Sequence, residues 1–206
     1  MVSVKTGPKK EEKQVVPDYL IYEMLNGIPV YYRGYKDVLN KTKTLEEIMA
    51  YRDLPWFIIN LLKDYFQPIF GKKYWVWSGE GGLHVGHRSN PSLDFVILPK
   101  SAFSYKKAKN KYIDTPPLVV IEVDTKADIE DLPFTGTEYV QKKNQELIDF
   151  GVAEVVWFFT QTEKVMVARP NQPWLTVDWK DTIEIMSHPF SLQNIIKESE
   201  VPTITE

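Results

Sequence analysis

Apolar and polar positions along this chain follow two periods, and each change of period marks an element. Residues 19–25 alternate aromatic and aliphatic side chains and stop at Asn26-Gly27, a strong turn pair. Apolar residues resume over 28–32, so the pattern predicts a small hairpin. Thr44-Leu45-Glu46-Glu47 places a capping side chain before first-turn acids and opens a helix. Pro55 suits the first position of another, in which Phe57, Ile58, Leu61, Leu62, Tyr65 and Phe66 recur at helical spacing up to Gly71. An aromatic strand follows over 74–77, then a flexible loop over 78–82 and a short pairing segment over 83–86.

Two segments read as strands buried on both faces: 90–99, and the run Leu118-Val119-Val120-Ile121 after a double proline. Between them lies a lysine- and tyrosine-rich surface loop, 100–111. After an acidic connector, 135–150 predicts a helix ended by Gly151. Strands at 155–159 and 164–168 form a hairpin, 175–178 and 182–185 a peripheral pair, and 190–196 a closing helix. Strands that alternate with helices in this order predict a single α/β (α+β) domain with a mixed sheet flanked by helices, over 17–198. An unstructured lead over 1–16 and a frayed tail over 199–206 complete the expected organisation.

Charge enters this pattern where it is costly. Asp94 sits inside the first buried strand, and the second ends in Glu122 and Asp124. Those two are two apart, so a continuing pleat sends both to one side, on the order of 7 Å from each other. In the 135–150 helix Tyr139, Val140 and Leu147 form the inward stripe, and Lys143 falls in its middle. Lys142, with Glu138 and Glu146 four residues to either side, has ordinary exposed ion-pair spacing. Desolvated carboxylates are unfavourable unless they hold a cation or another strong partner.

Composition narrows the chemistry. Without a single cysteine among 206 residues, disulfides, thiolate catalysis and cysteine-ligated zinc are excluded. No run of about eighteen apolar residues occurs, so no membrane span is predicted. The lysine-rich first sixteen residues lack the apolar stretch of a secretory signal, which makes a cytoplasmic location the default. A net charge of −3 argues mildly against a protein that coats nucleic acid. The glycine-rich stretch Gly79–Gly82 is not followed by the lysine-serine/threonine pair and helix of a phosphate loop. His84 and His87 lack a nearby third ligand and read as loop residues.

If the strands bearing Asp94 and Glu122 pair, their carboxylates converge into an oxygen site suited to Mg2+ or Mn2+, with Asp124 as a further ligand. Lys143 would then orient an attacking water or neutralise charge on a phosphoryl group. That is minimal equipment for metal-dependent phosphodiester hydrolysis. The plainer alternative is that Lys143 simply neutralises Glu122. A paired-carboxylate glycosidase is a third class, and would need an aromatic-lined sugar cleft.

Pro91-Ser92-Leu93-Asp94, then Pro116 to Val123, then Lys143 followed by Gly151-Val152-Ala153-Glu154-Val155-Val156-Trp157, resembles the PD-(D/E)XK nuclease superfamily. Within it the chain looks like the Uma-two family of restriction-endonuclease-like proteins. Tyr22 to Gly27 and Pro189-Phe190-Ser191-Leu192 resemble that family's terminal segments. The resemblance implies a restriction-endonuclease-like fold and a Mg2+- or Mn2+-dependent DNA endonuclease, often a homodimer. Asp94 and Glu122 would be metal ligands, Lys143 the catalytic lysine supplied from the following helix, and Glu23 a weaker accessory acid. The chain departs from the pattern in three places, one being that the histidine the resemblance implies near the start of the packing helix is absent. Two residues separate Pro91 from Asp94, and Asp124 stands where the superfamily places its lysine. Asp124-Thr125-Lys126 also spells a literal D-x-K, which makes Lys126 an alternative catalytic lysine. A nuclease fold used for binding without cleavage is the second functional reading.

Overall fold

The computed structural model describes residues 15–108 and 110–200. The expected lead and tail therefore fall largely outside it. Strands β1 (Ile21–Leu25) and β2 (Ile28–Tyr31) form the predicted antiparallel hairpin. Its turn needs the left-handed region at both central residues, and Asn26 and Gly27 have φ of 50° and 80°. A one-turn helix that the pattern did not predict, α1 (Tyr35–Leu39), precedes α2 (Leu45–Met49), where Thr44 and Glu47 close a capping box. Helix α3 (Asp53–Phe70) starts two residues before Pro55.

Six strands form the main sheet in the order β3-β4-β5-β6-β7-β8: β3 (Tyr74–Gly82), β4 (Ser92–Pro99), β5 (Val119–Val123), β6 (Glu154–Phe159), β7 (Lys164–Ala168) and β8 (Leu175–Asp178). Only β5 and β6 run parallel. Their crossover is α4 (Gly136–Phe150), opened by a Thr135–Glu138 capping box and closed by Gly151 at φ 116°. The chain ends in a hairpin of β9 (Ile183–Ile185) and β10 (His188–Phe190), then α5 (Leu192–Glu200).

Three expectations are corrected. Residues 78–82 continue β3 across a bulge instead of forming a loop. The segments 175–178 and 182–185 pair with β7 and β10, not with each other. Residues 199 and 200 belong to α5 instead of a frayed tail.

The sheet separates two cores. On one side α3, α5 and the β9–β10 hairpin pack Ile58, Leu62, Phe66 and Phe190 against Phe95, Ile121 and Phe158. On the other, α4 and the β1–β2 hairpin pack Leu25, Tyr139 and Leu147 against Val96, Val120 and Trp157. The period of two assigns Asp94 (with Val96) and Glu122 (with Val120) to this second face.

Candidate active site

Strands β4 and β5 pair in the register Phe95↔Ile121, Val96↔Val120, Ile97↔Val119. One step further this register sets Asp94 opposite Glu122, where Cβ atoms lie about 4.5–5.5 Å apart. The two are 3% and 1% exposed. Above them comes Lys143 from α4, fully buried. Its ammonium donates to the Ser92 carbonyl at 2.8 Å and stands 3.0 Å from Glu23 Oε2 and 3.2 Å from Glu122 Oε1.

Glu23 reaches the cluster because β1 carries a bulge. The pairing slips between Ile21 and Glu23, so Tyr22 and Glu23 are both buried in place of alternating. Glu23 then accepts from the Ser92 N–H at 3.0 Å and the Tyr139 hydroxyl at 2.6 Å. Asp94 accepts from the Tyr51 hydroxyl at 2.8 Å and the Val123 N–H at 2.9 Å. Glu122 differs from both. Its Oε1 has no partner in hydrogen-bond geometry, although the Lys143 amine stands at ion-pair distance.

Three carboxylates thus face one ammonium inside the protein. Burial pushes the Glu122 carboxyl well up, against the pull of Lys143, and Asp94 and Glu23 add to the rise. Burial also raises Asp94, opposed by the Val123 N–H, Tyr51 and Lys143. For Lys143 burial acts downward, but Glu122 and Glu23 more than offset it and hold the amine charged.

Asp94 alone of this group borders a cleft of about 590 Å³, together with Tyr51, Lys126, Arg33 and Arg52. Glu122 and Lys143 are sealed behind it. Asp124 also borders the cleft but does not extend the pleat. At φ 56° it has left the strand, and both its oxygens accept from Thr160, one from the backbone N–H at 2.8 Å and one from the hydroxyl at 2.5 Å. The expected alignment of Asp124 with Glu122 is therefore corrected: Asp124 ties the end of β5 to the residue after β6. Lys126 donates to the Met49 carbonyl at 2.7 Å, pairs with Glu80, and lies 3.3 Å over the Tyr51 ring.

Elsewhere, His84 binds Asn90 Oδ1 through Nδ1 at 2.7 Å. Lys100 folds onto Trp75 and the Lys72 carbonyl, and Lys111 pairs with Asp114. Glu146 is not the exposed partner of Lys142. It turns inward to the Ser89 hydroxyl, and burial with Glu23 nearby pushes its carboxyl up to about 7.

Among the described residues no three His, Cys, Asp or Glu side chains converge as a metal cage. The residues present nonetheless fit one Mg2+ or Mn2+. The donors are hard oxygens, Glu122 Oε1 has no hydrogen bond and only the Lys143 amine at ion-pair distance, and three carboxyl groups share one ammonium. Mg2+ is commonly held by one or two carboxylates, with water or phosphate completing its shell.

The sequence did not single out Tyr51 for a role, and took Tyr139 for an apolar stripe member only. A tyrosine in the three-residue joint between two helix patterns was the signal available for Tyr51.

The fold defined by this mixed sheet and its flanking helices is nuclease-like. The chain is similar in structure to "a putative nuclease belonging to DUF820" from Anabaena variabilis ATCC 29413, with a TM-score of 0.51 over 69% of this chain and 78% of that one. At 14% identity the likeness is one of fold. No family model matches the chain. No helix among the described residues is long and apolar enough to cross a membrane.

Proposed function

We propose that the protein is a Mg2+- or Mn2+-dependent endonuclease of the Uma-two type acting on DNA. The observation that carries this reading is the meeting of Asp94, Glu122 and Lys143 in one buried cluster that borders a cleft through Asp94. Asp94 and Glu122 would hold the ion, which when bound supplies a more acidic water and charge stabilisation at a phosphoryl oxygen. Lys143 holds Glu122 and Glu23 in place from behind. On the cleft side Arg33 and Arg52, which form no ion pair among the described residues, would receive backbone phosphates. The test is nicking of supercoiled plasmid in Mg2+ or Mn2+, abolished by EDTA and by Asp94→Ala.

A second reading, DNA binding without cleavage, is favoured by the depth of Glu122 and Lys143, each 1% exposed or less. Plasmid retained by the wild-type chain but never nicked in either ion would select it. A glycosidase is disfavoured, because Tyr51 is the single aromatic residue lining the cleft.

A further inference from the structure

Asp94 is held by two donors of different kinds. The Val123 N–H belongs to β5 and is fixed by the sheet. The Tyr51 hydroxyl comes from outside the sheet, from residues 50–52 between α2 and α3. That joint has extended backbone at Ala50 and Arg52 and no helical hydrogen bonds to hold Tyr51. The ring packs against the α3-side core, and Lys126 braces it with an ammonium 3.3 Å over its centre. Lys126 is in turn clamped by the Met49 carbonyl and Glu80, and keeps only 15% of its side chain exposed. Glu80, Lys126, Tyr51 and Asp94 therefore form one line of contacts from β3, across the residues after β5, to the carboxylate that borders the cleft.

We infer that Tyr51 is a positioning residue for cation binding at Asp94, braced by Lys126. This rests on the metal reading above. Each carboxylate oxygen has two lone pairs. Tyr51 and Val123 take one on each oxygen, which fixes the plane of the group and leaves one lone pair on each oxygen free. A ligating carboxylate that loses such an outer hydrogen bond typically loses about 10–100-fold in metal affinity. Tyr51→Phe removes only the hydroxyl and keeps the ring beneath Lys126, so it isolates that bond.

Lys126 supplies a second arm, because two effects oppose each other there. Removing a positive charge near a cation would, by Coulomb attraction alone, tighten binding. Removing the brace leaves the Tyr51 ring held by its core packing alone and loosens binding. Lys126→Met is expected to weaken binding by a few-fold, the sign opposite to that of charge.

The experiment is Mn2+ titration of the full chain, following the electron paramagnetic resonance signal of free Mn2+. Thermal unfolding without metal is run beside it, to show that each variant is folded. Saturable binding that Asp94→Asn abolishes, Tyr51→Phe weakens about tenfold or more and Lys126→Met weakens less supports the inference. Binding lost in Asp94→Asn but unchanged or tighter in Tyr51→Phe overturns it and leaves the metal reading standing. Tighter binding in Lys126→Met overturns the brace. No saturable binding by the wild-type chain overturns the metal reading, and this inference with it. Should Tyr51→Phe fail to fold, fluorotyrosine-labelled wild-type chain gives the same test by 19F resonance. The Tyr51 signal moves on addition of Mg2+ if it neighbours the ligand, and its staying fixed overturns the inference.

Discussion

Two buried glutamates on adjacent strands, one on each face of the sheet, show what separates structural charge from charge kept for chemistry. Glu154 begins β6 on the α3 side and is fully answered. One of its oxygens accepts from the Arg169 guanidinium, the other from the Met186 N–H at 3.0 Å. It ties the β9–β10 hairpin to the sheet, and the core around it is apolar. Glu122, in the next strand on the α4 side, has an oxygen without a hydrogen bond and shares its one ammonium with Glu23. A buried charge with its partners supplied stabilises a joint. A buried charge left in surplus stays tolerable only with a further cation or proton.

The comparison breaks most visibly at Lys143. Lys143→Met leaves three carboxylates with no counter-charge, and unfolding in urea should show a loss of about 3–5 kcal/mol. On the other face, Arg169→Met removes a partner that is about a third exposed, and the loss should be about 1–2 kcal/mol with plasmid nicking and Mn2+ binding retained.

The glutamates themselves should respond with opposite signs. Glu154→Gln weakens a satisfied pair and destabilises. Glu122→Gln removes a charge that the fold disfavours, so the metal-free chain should hold or gain up to about 1 kcal/mol while Mn2+ binding disappears. Equal losses for both would erase the distinction between the two glutamates.

The smallest effect concerns pH. Glu146 rises from the ordinary 4.5 to about 7 in the folded protein. The folded state therefore binds more protons than the unfolded one between these values, and stability falls as pH climbs from 4.5 through 7. In Glu146→Gln that part of the slope should vanish from a pH series of urea midpoints.

Local chemistry carried much of this protein in its sequence. The Asn26-Gly27 turn, the capping boxes of α2 and α4 and the Gly151 stop are decided within a few residues, by φ preference and hydrogen bonds to neighbours. Helical periodicity alone set Lys143 among apolar positions, and the two interior strands declared Asp94 and Glu122 as charges out of place. What needed the tertiary structure was everything dependent on long-range register. The β4–β5 pairing sets Asp94 against Glu122, the β1 bulge delivers Glu23, and the left-handed turn at Asp124 sends that carboxylate to Thr160, 36 residues away. Tyr51 and Lys126 come together only because α2, α3 and the end of β5 meet at one cleft. Periodicity states which side of its own element a side chain faces, and it is silent on what the chain brings to that side from elsewhere.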